Sequence, residues 1–143
     1  MRQALVESER TADSKDVPIG SVVVRDGRII GRGYNQRELL QDPTAHAEII
    51  AITAAAADVE SWRLDRCTLY VTLEPCPMCA GAVVLGRIPR LVFGAPDPKA
   101  GACGSLMNLV QDPRLNHRVE LTGGVLAEEC GGRVRAFFEA LRR

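Results

Sequence analysis

The sequence predicts an α/β protein, a three-layer α/β/α sandwich in which a five-stranded mixed sheet carries helices on both faces. Three observations predict it. After residue 44, β-rich runs alternate with helical stretches of about 10 residues, the pattern of strands joined by crossover helices. Before that, two β-rich runs flank Asp26-Gly27, a hairpin signal that places an antiparallel pair at one side of the sheet. And 143 residues, 46% of them hydrophobic, can bury a core without disulfide staples.

The elements follow in order. Met1, Ala4, Leu5 and Ser8 fall at helical spacing, and the turn-prone run Asp13 to Asp16 stops that first helix. Ile19 to Val24 and Arg28 to Tyr34 form the hairpin. A loop from Asn35 to Pro43 leads into an Ala-rich helix over about Thr44 to Ala57, with Thr44 as its N-cap. Thr68 to Leu73 is a strand, Pro77 to Leu85 a helix with Pro at its first position, and Leu91 to Phe93 a short strand. A Pro/Gly/Ala-rich loop runs to Gly104. It is followed by a helical turn over Leu106 to Val110 and a fifth strand over Arg118 to Leu121. Val134, Phe137, Phe138 and Leu141 mark the last helix at i, i+3, i+4 and i+7. No repeat, low-complexity tract or Pro/Gly/Ser linker divides the chain, so residues 1–143 read as one domain.

Composition narrows the function. Eighteen basic side chains balance eighteen acidic ones. A strongly basic domain that holds nucleic acid by counterion release is thereby excluded, and any nucleic-acid partner must be held locally. Six aromatic residues are too few for the stacking platforms of general single-strand binders, so a base would have to enter a pocket. No apolar run spans a bilayer and the start carries no apolar signal core, which predicts a cytoplasmic protein without membrane contact. In a reducing compartment, a close pair among five cysteines reads as metal or redox chemistry before disulfide.

That pair is Cys76-Pro77-Met78-Cys79 at a helix start, where the partial positive charge of the helix amino end favours thiolates, the form that binds metal. Alone it also fits a redox dithiol or two core cysteines. His46-Ala47-Glu48 lies upstream at the start of the other Ala-rich helix, and His46 is one of only two histidines in the chain. A single imidazole and two thiolates suit Zn²⁺, and three protein ligands leave a coordination position for water. Cys103, in a Gly-Ala-Cys-Gly loop, is the alternative fourth ligand that would make the site structural. Cys67 and Cys130 read as small core hydrophobes. Glu48 is placed to move a proton, provided the metal lies off the helix's first turn, because residues at i and i+2 diverge by about 200° within a regular helix.

His46-Ala47-Glu48 with Pro75-Cys76-Pro77-Met78-Cys79 resembles the signature of the zinc nucleobase deaminases of the cytidine/deoxycytidylate deaminase superfamily. Further segments resemble the bacterial tRNA-specific adenosine deaminases: Val17 to Gly20, Gly33-Tyr34-Asn35, Asp42 to Glu48, Leu69 to Cys76, Met78 to Ala82, Val92 to Ala95, Gly101, Gly104 to Met107, Asn116 to Glu120 and Ala127 to Cys130. Parts of the first half are also similar to guanine deaminases. The resemblance implies a cytidine-deaminase-like fold and a homodimer with one zinc ion per subunit. It also implies deamination of the wobble adenosine (position 34) of a tRNA anticodon stem-loop, typically of an arginine tRNA, to inosine. It carries over His46, Cys76 and Cys79 as zinc ligands, Glu48 as proton shuttle and Asn35 as a contact to the flipped purine. Asp97, Lys99 and Asn116 correspond to positions lining the RNA groove. Pro96 and Pro98 around Asp97 depart from the family pattern.

Three other readings remain open on the residues: a deaminase of free guanine or cytosine, a non-catalytic zinc-stabilised RNA-binding module, and a C-x-x-C oxidoreductase. Segment charge bears on the RNA. Gly86 to Arg118 holds five basic residues against Asp97 and Asp112, and the stretch from Arg133 holds four against Glu139. The first 58 residues hold nine acids against seven bases. The expectation is a weak, salt-sensitive RNA surface built largely from residues after Gly86.

Overall fold

In the computed structural model, which describes residues 1–143, the chain begins with α1 (Arg2–Ser8), a 3-10 turn (Glu9–Asp13), β1 (Gly20–Arg25) and β2 (Arg28–Tyr34). Next come α2 (Arg37–Leu40), α3 (Ala47–Val59), β3 (Cys67–Leu73), α4 (Pro77–Leu85) and β4 (Arg90–Ala95). A second 3-10 turn (Leu109–Gln111), β5 (Glu120–Thr122) and α5 (Ala127–Leu141) complete it. The strands form one mixed sheet in the order β2-β1-β3-β4-β5. Pairing is antiparallel across β2, β1 and β3, then parallel across β3, β4 and β5. The predicted five-stranded α/β/α architecture is the observed one.

The hairpin forms because Asp26 and Gly27 both take positive φ (51° and 77°), the backbone that matches strand twist in a tight two-residue turn. α3 then packs on β2 and β1 through alanine. Ala47, Ala51 and Ala55 recur every four residues and are wholly buried. Opposite them, a Cβ at Gly31 or Gly33 would overlap α3 backbone. Small residues on both surfaces bring the helix axis close to the sheet. Leu69, Val71, Val83, Ile88 and Leu91 continue that core beneath α3 and α4. Each such side chain contributes about 1.5–3 kcal/mol by leaving water. On the other face, Leu5, Ala95 and Cys130 form a smaller cluster under α1 and α5.

Several boundaries differ from expectation. α3 starts at Ala47 rather than Thr44, because the Thr44 N–H and hydroxyl both donate to Asp42 Oδ1 and His46 takes the N-cap position. The segment from Asn35 to Pro43 is not all loop; α2 forms within it because Asp16 accepts hydrogen bonds from Glu38 N (2.7 Å) and Leu39 N (3.2 Å). Leu106 to Val110 coils only over Leu109–Gln111. Val119 N donates to Val110 O, so the fifth strand is displaced to Glu120–Thr122. α5 reaches back to Ala127, entered through Leu126 at φ 56°.

Candidate active site

β3 delivers Glu74-Pro75-Cys76 at its carboxyl end, and Cys76 is the N-cap of α4 with Pro77 beginning the helix. Pro at this position loses no hydrogen bond, since the first helical N–H groups have no partner within the helix. Across the cleft floor, His46 caps α3 with extended backbone (φ −78°, ψ 152°). The expected divergence of His46 from Glu48 therefore does not arise. His46 precedes the helix, Glu48 sits in its first turn, and the two side chains approach the same point.

His46 Nδ1 lies 3.6 Å from both Cys76 Sγ and Cys79 Sγ. The ligand atoms of these three residues all fall within 4.8 Å of one another, a group able to hold a metal ion. A tetrahedral zinc with Zn–S of about 2.3 Å and Zn–N of about 2.0–2.1 Å would separate sulfur from nitrogen by about 3.6 Å, so the three residues fit that ion. Cys103 lies outside the group. Its thiol is buried, which pushes it up to about 12 and keeps it protonated. Cys67 and Cys130 are buried as small hydrophobes, as expected.

Charge within the cluster argues the same way. Without a cation the two thiols cannot ionise together. A hydrogen bond from Cys79 pulls Cys76 down to about 4, against the cost of its burial and with help from His46. Cys79 is pushed up by the neighbouring Cys76 sulfur and by burial. A bound divalent ion would relieve that competition. Glu48 is 4% exposed, and burial raises its carboxyl to about 7, opposed by its own backbone hydrogen bond and by His46. A carboxyl held near neutrality can take and return protons.

His46, Glu48 and Cys76 line the floor of a cleft of ≈ 880 Å³, with Cys79 wholly buried beside them. Asn35 lines it, and its Oδ1 accepts from Ala47 N (2.9 Å), so this side chain both braces the start of α3 and faces the cleft. Asp97 and Lys99 line it too, whereas Asn116 does not. Asp97 has a local task as well: its Oδ1 accepts from Lys99 N and Ala100 N. Pro96 and Pro98 lack an N–H, but the donors this turn uses are those of Asp97, to Glu74 Oε1 (2.9 Å), and of Lys99 and Ala100.

The basic surplus is smaller at the surface than in the sequence. Arg133 donates to Leu5 O and Ser8 Oγ and pairs with Glu9, which ties α5 to α1. Arg114 pairs with Asp112, and Arg87 donates to Val84 O. Arg135 lines the cleft, together with Val134, Phe137 and Phe138 of α5. Asp16 and Glu74, both buried carboxylates at the cleft, were not singled out by any motif. The sequence signal for Glu74 was an acid next to Pro75-Cys76, but its partners lie 23, 29 and 31 residues away.

A mixed sheet that brings a histidine and two cysteines from two helix starts beneath a nucleotide-sized cleft defines a deaminase. The chain belongs to the MafB19-like deaminase family, whose model matches residues 1–142. It is 53% identical over 143 residues to the tRNA-specific adenosine deaminase of Bacillus subtilis, covering 100% of this chain and 89% of that one. It is 50% identical to the Haemophilus influenzae protein of the same name, covering 99% and 83%. A solved structure from studies of A-to-I editing by tRNA:A34 deaminases at the wobble position superimposes with a TM-score of 0.89. That match has 43% identity and covers 93% of this chain and 96% of the other.

Proposed function

We infer that this protein is a tRNA adenosine deaminase, a hydrolase that converts the wobble adenosine of an anticodon to inosine. The observation that carries this reading is the convergence of His46, Cys76 and Cys79 with buried Glu48 at the floor of one cleft. Its relatives' tRNA substrate supports the choice of base and polymer. An arginine tRNA is the proposed substrate.

His46, Cys76 and Cys79 would hold one zinc ion per subunit. When bound, zinc supplies an acidified water as nucleophile. Glu48 would take a proton from the attacking water and deliver it to the purine N1 as the oxygen adds at C6. It would then pass the proton of the new C6 hydroxyl to the amino group as the C6–N bond breaks, so that adenosine and water become inosine and ammonia. The Nδ2 hydrogens of Asn35, left unpaired by the bond at Oδ1, are suited to an acceptor on the purine edge. A base in a loop must leave its stack to reach this floor, and unpaired anticodon nucleotides do so at low cost. Asp97, Lys99, Arg135 and the Phe137–Phe138 pair supply the wall against which the flanking nucleotides lie, with Asn116 further out.

The chain acts as one domain over residues 1–143 and works in the cytoplasm, where tRNA is modified. No helix is long and apolar enough to cross a membrane. It assembles as a homodimer; Leu85, Leu106 and Met107, exposed by 72%, 58% and 45%, are apolar side chains that a second copy would cover. The test is sequencing of an arginine tRNA after incubation with the zinc-loaded protein. Adenosine read as guanosine at the wobble position is the expected result. Efficient turnover of free guanine or cytosine with the tRNA untouched would overturn the reading in favour of a free-base deaminase.

A further inference from the structure

The cleft wall formed by residues 96–100 has little to hold it in place. Pro96, Pro98, Lys99 and Ala100 are exposed, and the loop as far as Asn108 buries only Gly101, Ala102 and Cys103. Beyond Ala102 and Cys103, which pack in the core, and the bond from Ala102 N to Pro75 O (2.8 Å), its contacts converge on one side chain. Glu74, 3% exposed, receives four hydrogen bonds from this loop. Asp97 N (2.9 Å) and the Ser105 hydroxyl donate to Oε1, and Cys103 N (3.0 Å) and Ser105 N (3.0 Å) donate to Oε2. Each carboxylate oxygen thus takes two donors, and none of the chain's ion pairs uses Glu74. The loop is shaped to fit it: a Cβ on Gly101 would overlap the Glu74 carboxyl group.

The contacts are arranged in series. Glu74 fixes Asp97 N, Asp97 Oδ1 fixes Lys99 N and Ala100 N, and Asp97 O receives Gly101 N (2.9 Å). On the other side, Glu74 is two residues from Cys76 and its N–H donates to Ala95 O (2.8 Å). Glu74 is therefore the side chain that joins the floor to the substrate-facing wall, beside the backbone bond from Ala102 N to Pro75 O. Buried carboxylates without a cation are uncommon, because an ion removed from water must recover its solvation from donors. Four donors from a single loop provide that recovery only while the loop keeps this shape.

We propose that Glu74 is a positioning residue for substrate: by gathering the N–H groups of residues 97, 103 and 105 it holds the 96–105 loop as the cleft wall that grips the RNA beside the flipped base. This rests on the tRNA reading above. Glu74 touches neither base nor metal ligand, so it acts on binding more than on the chemical step. Glutamine in its place keeps the size but presents an N–H₂ group to two of the four donors.

The test uses the zinc-loaded full chain and an arginine anticodon stem-loop, with KM, kcat, zinc content and amide hydrogen exchange measured together. For Glu74→Gln we expect KM to rise at least about tenfold, kcat to stay within about threefold and zinc per chain to be unchanged. The amides of 97, 103 and 105 should lose protection while those of β3 keep theirs. Ser105→Ala, which removes one donor of four, should raise KM about two- to threefold. Gly101→Ala, whose Cβ would push the loop and the Glu74 carboxyl apart while leaving the acid and all four donors in the chain, should raise KM as Glu74→Gln does, and it decides the matter should Glu74→Gln not fold. An unchanged KM with the loop amides exposed would overturn the proposal, leaving Glu74 a plain structural tether. So would a fall in kcat and zinc content at constant KM, which would assign Glu74 to the metal floor. A wild-type chain that leaves the stem-loop unedited overturns the functional reading itself, and this proposal with it; an active wild type with unshifted variants overturns only the role of Glu74.

Discussion

The floor and the rim of the cleft are built by opposite means. At the floor, side chains project from the amino ends of α3 and α4, two helices packed on the sheet through fully buried residues such as Ala47, Ala51, Ala80 and Val83. At the rim, backbone is held by side chains: Asp16 gathers the first N–H groups of α2, and Glu74 gathers those of the 96–105 loop. The difference follows from what each must do. Chemistry at His46, Glu48, Cys76 and Cys79 needs atoms placed to tenths of an ångström, which regular structure supplies. Gripping an RNA loop needs a surface whose chemistry can vary while its position stays fixed, which an anchored loop supplies.

Changes at the floor should therefore remove the reaction, and changes at the rim should only weaken it. The largest expected effect is that of Cys79→Ala, which takes one ligand from the cluster. Elemental analysis should show most of the metal gone, and inosine formation should fall below detection. Full zinc content in this variant would break the assignment of the floor. Next comes Gly33→Ala, which tests the floor through its support. The new Cβ meets the backbone of Ala47 and Ala51, next to His46 and Glu48. Overpacking of this kind costs about 1–3 kcal/mol, read as a lower urea midpoint at unchanged m-value, and kcat should fall with it because the start of α3 must move.

At the rim, Asp16→Ala should cost about 1 kcal/mol, since the N–H groups of Glu38 and Leu39 can turn to water in place of the lost carboxylate. Its signature should be loss of amide protection confined to α2, with zinc content unchanged. A loss of zinc would mean that floor and rim are one mechanical unit. Smallest of all, Arg114→Ala should leave both the thermal midpoint and kcat unchanged, because its pairing with Asp112 is an exposed contact between near neighbours. A marked loss of tRNA binding there would extend the RNA surface beyond the cleft.

The same division explains what could be read from the sequence. The floor was legible because its residues lie in two short motifs, each at the start of a helix with strong local signals: the Ala-rich run after His46 and Pro77 after Cys76. The sheet was legible because Asp26-Gly27 and the β-branched runs speak for themselves over a few residues. The rim was not, because its determinants are distant in sequence. α2 has no local cap, and Asp16 reaches it across 22 residues. Thr44 resembles an N-cap, but its hydroxyl is taken by Asp42. Arg133 adds to the basic count of the last stretch, but its charge is taken up by Leu5 and Ser8 of α1 and by Glu9 just beyond, more than 120 residues away in sequence. Glu74 stood in plain sight beside Cys76, yet a carboxylate's role depends on which N–H groups converge on it, and no spacing rule encodes that.

That Glu48 moves the protons of a metal-dependent deamination at this floor is tested most directly by the zinc content and wobble inosine yield of Glu48→Ala beside the wild type. One zinc per chain is expected in both proteins, with inosine formed by the wild type and the rate of the variant lower by about 10²–10⁴-fold. Undiminished inosine formation by Glu48→Ala with its zinc in place would contradict it.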